Sequence, residues 1–216
     1  MDEVSEVTVL HALRLAGVAE TEPLSRRIGT RGEVLLPVLH SFRGAGFVRR
    51  HGGSLPGWSL TAAGRRRGEQ LLAADLQRSG KRHRVEAAYG EFLVLNRGVL
   101  TVCTDWQVRV DSDPMVLNDH TDREYDEEVL ERLESLHARA LGMLRSLVAD
   151  VQRFVGYGPR LSNALATARR GEVDWVTKPV IDSYHTVWFE LHEDLLATLG
   201  RRRSDESAGR NDRNPA

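Results

Sequence analysis

Residues 10–72 constrain the fold most tightly, because short apolar helices end at glycines and give way to a hairpin. An apolar helix carrying Val7, Leu10, Leu13 and Leu15 leads to Gly17. A second short helix with Leu24, Arg26, Arg27 and Ile28 stops at Gly29. Thr30 opens a third, and Thr30 with Glu33 reads as a capping box. Its Leu35, Val38, Leu39 and Phe42 fall at i, i+3, i+4 and i+7, which makes one buried stripe. Gly44-Ala45-Gly46-Phe47-Val48-Arg49-Arg50 then enters a strand through glycine. His51-Gly52-Gly53 supplies a turn, and Gly57-Trp58-Ser59-Leu60-Thr61 returns, with Trp58 expected to pack the hairpin on the core. Thr61-Ala62-Ala63-Gly64-Arg65 starts a further helix.

This order predicts a mainly α protein that begins with a winged helix-turn-helix with a small β-wing over residues 1–80. An all-helical bundle domain over 85–200 is expected to follow, joined at Ser79-Gly80-Lys81-Arg82-His83-Arg84. In the second part, Val85 to Val108 has apolar residues at helical spacing. A loop from Asp111 to Asp122 precedes a long helix to Phe154, with Thr121 and Glu124 as its capping box. Along that helix Leu133, Ala140, Leu147 and Phe154 recur every seven residues, flanked by Leu130, His137, Leu144 and Val151. Such a stripe suits either the strut of a bundle or the seam between two copies. A shorter helix from Pro159 to Arg170, a connection from Gly171 to Pro179 and a last helix from Ile181 to Leu199 complete the domain. Residues 201–216 lack apolar content and are expected to be a disordered tail.

Charge divides along the same line. Residues 1–84 hold 14 Lys/Arg against 8 Asp/Glu, whereas 85–200 hold 11 against 20. A basic first part beside an acidic second part is the split expected where one domain meets a polyanion. The first residues are acidic and polar rather than basic and then apolar, and no apolar run approaches a membrane span, so a cytoplasmic protein with no membrane partner is expected. The single cysteine, Cys103, excludes an intrachain disulfide and a multi-cysteine zinc site.

Two motifs carry a family resemblance over about residues 7–75. Gly44-Ala45-Gly46-Phe47-Val48-Arg49-Arg50 resembles the small-Gly-apolar-apolar-Arg strand entry of the MarR-like winged helix-turn-helix transcriptional regulators. Trp58-Ser59-Leu60-Thr61-Ala62-Ala63-Gly64-Arg65 is similar to that family's Leu-Thr-x-x-Gly-Arg helix start. The resemblance implies a one-component regulator that binds double-stranded DNA as a homodimer. The second part, about 88–200, resembles a helical segment of actinobacterial winged-helix regulators and of pyruvate phosphate dikinase-like proteins. It does so through Thr104–Arg109, Asn118–Asp122 and Asp182–Glu193, and it transfers no site residue.

DNA binding needs phosphate contacts and base readers. Arg26, Arg27, Arg49 and Arg50 are candidates for the first, together with Arg43 and Arg65–Arg67. Arg31, Glu33, His40 and Ser41, on the outer face of the third helix, are candidates for the second. Leu36 and Pro37 are apolar where readers usually sit, and Pro37 should bend the helix. The alternative reading is therefore a regulatory module that docks on an enzyme through Leu36 and Pro37, without sequence-specific DNA binding.

In the second part, Trp106, Tyr184 and Trp188, with His185 and Arg160, could line a pocket for an anionic effector. The competing reading is that these aromatics fill the core. Asp119, His120 and Asp122, or His185 and His192, could ligate a metal, but neither set has a recognised spacing, and no metal or other cofactor is expected. No phosphate-binding loop, nucleophile elbow or dinucleotide fingerprint is present, so the chain is not expected to be an enzyme.

Overall fold

The computed structural model describes residues 4–109 and 116–201. It is mainly helical with a small antiparallel sheet. The chain divides into two compact units, Met1–Ser79 with Leu196–Ala216, and Gly80–Leu195. Among the described residues no helix is long and apolar enough to cross a membrane. The tail from Arg202 and the predicted loop residues Asp111, Asp113 and Pro114 lie outside the described residues.

The first unit runs α1 (Glu6–Ala16), β1 (Val18–Ala19), α2 (Thr21–Ile28), α3 (Gly32–Gly44), β2 (Val48–His51), β3 (Gly57–Leu60) and α4 (Ala62–Ser79). Ser5 caps α1 by accepting from the Thr8 amide, and Gly17 ends it. The strands lie in the order β1-β3-β2, both pairings antiparallel. The two-residue β1 is not foreseen from the sequence, because nothing so short carries a period. It lies against β3 at Gly57, where a Cβ would come within 2.8 Å of the Ala19 carbonyl. The core joins Val9, Leu10 and Leu13 of α1, Leu24 of α2, Leu35 and Leu39 of α3, Val48 and Trp58. Trp58 is buried, and its indole N–H donates to the Thr21 hydroxyl at 3.1 Å, so it ties the hairpin to α2.

The expected capping box at Thr30 does not form. The Thr30 amide still serves the exit turn of α2, donating to the Ser25 carbonyl at 2.9 Å. The N-cap of α3 is Arg31, without a side-chain cap bond. Pro37 lies inside α3, which nevertheless runs unbroken from Gly32 to Gly44.

The start of α4 explains the Leu-Thr-x-x-Gly-Arg motif physically. The Thr61 hydroxyl accepts from the Gly64 amide at 3.0 Å and donates to the Gly46 carbonyl at 2.6 Å. One side chain thus caps α4 and pins it to the strand entry. Gly64 lets the helix press on that entry, since a Cβ there would fall 2.0 Å from the Phe47 carbonyl oxygen.

The second unit runs α5 (Arg82–Gln107), β4 (Val108–Arg109), β5 (Val116–Leu117), α6 (Arg123–Asp150), a 3₁₀ turn (Gln152–Gly156), α7 (Tyr157–Arg169), α8 (Asp174–Thr177) and α9 (Tyr184–Leu199) as far as Leu195. α5 and α6 are antiparallel neighbours, tied by Lys81–Asp150 at one end and Arg132–Asp105 at the other, both 2.6 Å. α6 starts one residue later than the expected box. Asp122 caps it by accepting from the Tyr125 amide at 3.1 Å, while Thr121 is turned back onto the Asp119 carboxylate. The segment expected as a plain connection, Gly171–Pro179, contains the helical turn α8. The heptad stripe is interior to this unit: Leu133, Ala140, Leu147 and Phe154 are buried, as are Leu130, His137 and Leu144. α6 packs against α5, the 3₁₀ turn and α7, and its His137 meets Tyr184 of α9.

Candidate nucleic-acid interface

Ion pairing between helices sorts the arginines of the first unit into two groups. Arg14 and Arg67 hold α1 to α4. Arg14 meets Glu69 at 2.6 Å, and Arg67 grips both Glu6 oxygens at 2.9 and 2.8 Å. That fork holds the Glu6 carboxyl below its ordinary range. Arg67 is thus paired within the unit, with its side chain still 42% exposed. Arg26 and Arg27 at the end of α2, Arg31, Arg43, Arg65 and Arg66 are exposed, and so are Arg49 and Arg50 on β2. Arg31 pairs with Glu33 at 3.0 Å, but these side chains are 76% and 71% exposed. A surface pair of this kind contributes about 0–1 kcal/mol, so it yields readily to a phosphate.

Strand alternation sends Arg49 and Arg50 to opposite faces of the hairpin. Arg49 pairs across the ladder with Ser59, and Arg50 with Trp58. On one face the Arg49 Nε donates to the Ser59 hydroxyl at 3.3 Å, which also shares a 2.8 Å hydrogen bond with His51. The terminal nitrogens of Arg49 carry no further intramolecular bond among the described residues. On the other face the Arg50 guanidinium sits 5.4 Å from the Trp58 ring centroid. His40 of α3 meets the same ring edge-on, also at 5.4 Å.

Trp58 therefore joins the exposed side of α3 to the hairpin. Its indole is a fixed platform inside the core, with Arg50 and His40 on its margins. Glu33, Pro37, His40 and Ser41 are exposed on α3 and recur at helical spacing. Leu36 is half-buried and packs against the core cluster, so the apolar docking face expected at Leu36 and Pro37 reduces to Pro37. Sequence reasoning named the cations and the readers but missed their link, because an aromatic's margins are visible only after folding. The alternation Val48-Arg49-Arg50-His51 against Gly57-Trp58-Ser59-Leu60 was the available signal.

The pocket residues expected in the second unit are placed as follows. Trp106 is buried, donates from its indole to the Val173 carbonyl at 3.1 Å, and lies 4.6 Å from His120. Trp188 donates to Asn96 at 2.9 Å and stacks on Phe92 at 4.6 Å. Tyr184 is buried with its hydroxyl 3.4 Å from His137 Nδ1, and burial pushes that phenol up. The structure brings Tyr184 and Trp188 together, centroids 6.3 Å apart. Their polar tips, like that of Trp106, are satisfied from within the unit. His185 is half-buried on α9. Arg160 is gripped by Asp182 and Glu190.

His120 is held by Asp126 at 3.0 Å, and Asp122 by Arg109 at 3.0 Å. Among the described residues no three His, Cys, Asp or Glu side chains gather as metal ligands. Burial pushes the Cys103 thiol up to about 12, which leaves it protonated and unreactive at neutral pH. A comparison of the chain with protein-family models, curated proteins and solved structures finds no match.

Proposed function

We propose that the chain is a DNA-binding transcriptional regulator of the one-component type. In this reading its first unit is a MarR-like winged helix and its second a helical effector-sensing or dimerisation domain. The observation that carries the reading is the surface built around Trp58, where exposed Arg50 on the hairpin and His40 on the exposed face of α3 meet the same ring, with exposed Arg49 on the hairpin's other face.

Arg26, Arg27, Arg49 and Arg50 grip phosphates, which fix the register of the protein on the duplex. α3 enters the major groove through Arg31, Glu33, His40 and Ser41. Arginine there suits guanine O6 and N7, and a carboxylate suits the cytosine amino group. Homodimers suit this task because two half-sites multiply affinity and match a palindromic operator. The α6 stripe is buried within its own unit, so a dimer uses another face.

Selection from a randomised duplex pool tests the reading. We expect enrichment of one motif by the wild-type chain, and a relaxed motif when His40 and Ser41 are both replaced by alanine. A pool that stays random through selection with the wild-type chain would contradict it.

A further inference from the structure

The geometry points to Asp182 as an internal occupant of an anion site on Arg160: a small carboxylate from solution displaces it and frees the strap formed by residues 178–183. This inference rests on reading the second unit as the sensing half of a regulator.

Arg160, on α7, offers two forked edges, and a carboxylate fills each. Its two terminal nitrogens donate to Glu190 at 3.1 and 2.8 Å. Its Nε and one terminal nitrogen donate to Asp182 at 3.0 and 2.9 Å. The two carboxylates differ in kind. The Glu190 side chain is 9% exposed on α9. One turn on, buried Asp194 receives the Tyr157 hydroxyl at 2.9 Å and lies 3.5 Å from Arg153 Nε. Asp182 is 52% exposed and precedes the helix, in the strap between α8 and α9. The inner edge of Arg160 is thus fixed by burial and the outer edge is open to exchange.

The strap is held against its own preference. Val180 has φ 69°, a conformation that a β-branched residue strongly resists. Its side chain is 95% exposed, so packing of that side chain cannot hold it there. The restraints lie on either side. Lys178 is extended before Pro179, and its carbonyl accepts from the Thr186 hydroxyl at 3.4 Å. Asp182 is clamped by Arg160. Releasing Asp182 lets Val180 return to negative φ, so ligand capture and strain relief favour the same state.

Exchange of one carboxylate for another keeps the outer edge of Arg160 paired with a carboxylate. The parallel donors of a guanidinium edge select a planar two-oxygen anion. The ligand class is therefore a small organic carboxylate.

Amide hydrogen exchange over residues 178–183 of the full chain, with succinate as the probe and sodium chloride at matched ionic strength as the control, tests this. In the wild-type chain succinate should speed exchange of the strap severalfold, and chloride should not. In Asp182→Asn the strap should already exchange fast. Succinate should raise the melting temperature of that variant at about tenfold lower concentration than for wild type, because the tethered competitor is gone. Arg160→Lys should abolish the response. Unchanged strap exchange in wild type at high succinate, or equal midpoints for wild type and Asp182→Asn, would overturn the inference. Duplex binding measured on the same samples keeps the outcomes apart: DNA binding without a succinate response sinks this inference alone.

Discussion

At the scale of single residues, Thr61 and Gly64 bind the sequence to the fold most directly. Both were legible in the sequence as part of a helix start, Thr61-Ala62-Ala63-Gly64-Arg65, although the capping role of Thr61 was not. The reason for the glycine was not legible, since the Phe47 carbonyl it accommodates lies 17 positions earlier and meets it only after folding. Gly64→Ala should destabilise the first unit by about 1–3 kcal/mol, the usual cost of forcing atoms into a packed site. Chemical denaturation measures this, and a neutral result would mean that α4 can shift away from the strand entry.

His137 makes a second prediction at this scale. It is buried between Ser162 and Tyr184, and burial lowers its basicity below the ordinary imidazole value of 6.5. Above that value neither the folded nor the unfolded chain protonates this ring, so its contribution to stability is full. As pH falls below it, the unfolded chain takes up a proton that the folded chain resists, and stability declines. Denaturation midpoints should therefore drop between about pH 7 and pH 5. His137→Gln should flatten that part of the profile.

At the scale of elements, the long helices and the β2-β3 hairpin were readable from period and punctuation. Their caps were less so. Thr30 and Thr121 each fit a capping pattern, yet the neighbouring turns claimed both: the exit of α2 took Thr30, and the Asp119 carboxylate took Thr121. The pairs β1 with β3 and β4 with β5 involve two-residue strands, too short for alternation to register. The seven-residue recurrence of α6 was visible, but the sequence could not say what it faced.

Burial answers that with partners inside the unit. Leu133→Ala should then cost about 2–5 kcal/mol of stability, the range for emptying a core leucine site. Sedimentation of the folded variant should match the wild type. A change in oligomeric state with stability preserved would make the stripe a seam between copies instead.

At the scale of the whole molecule, the charge asymmetry between residues 1–84 and 85–200 is a property of the sequence alone, and it suggests a division of labour. Which cations the fold consumes is decided only by tertiary contacts. Arg14 and Arg67 are spent on α1 and α4, and Arg160 is clamped by Asp182 and Glu190 in the second unit. Arg50 remains exposed beside the α3 face, and Arg49 remains exposed on the other face of the hairpin. Trp106, Trp188 and Tyr184 stand out in the sequence as large aromatic residues with polar tips. Whether they would wall a cavity or fill a core depended on Val173, Asn96 and His137, which lie far from them in sequence.

Duplex binding through the hairpin arginines is tested most directly by its salt dependence, measured by fluorescence anisotropy for the wild type and for Arg49→Ala/Arg50→Ala. Each phosphate contact contributes about −0.9 to the slope of log affinity against log salt. We expect a steep negative slope for the wild type, shallower by about 2 in the double variant, with weaker binding on every duplex. Equal slopes for the two proteins, or no measurable duplex binding at low salt, would contradict a DNA-gripping hairpin.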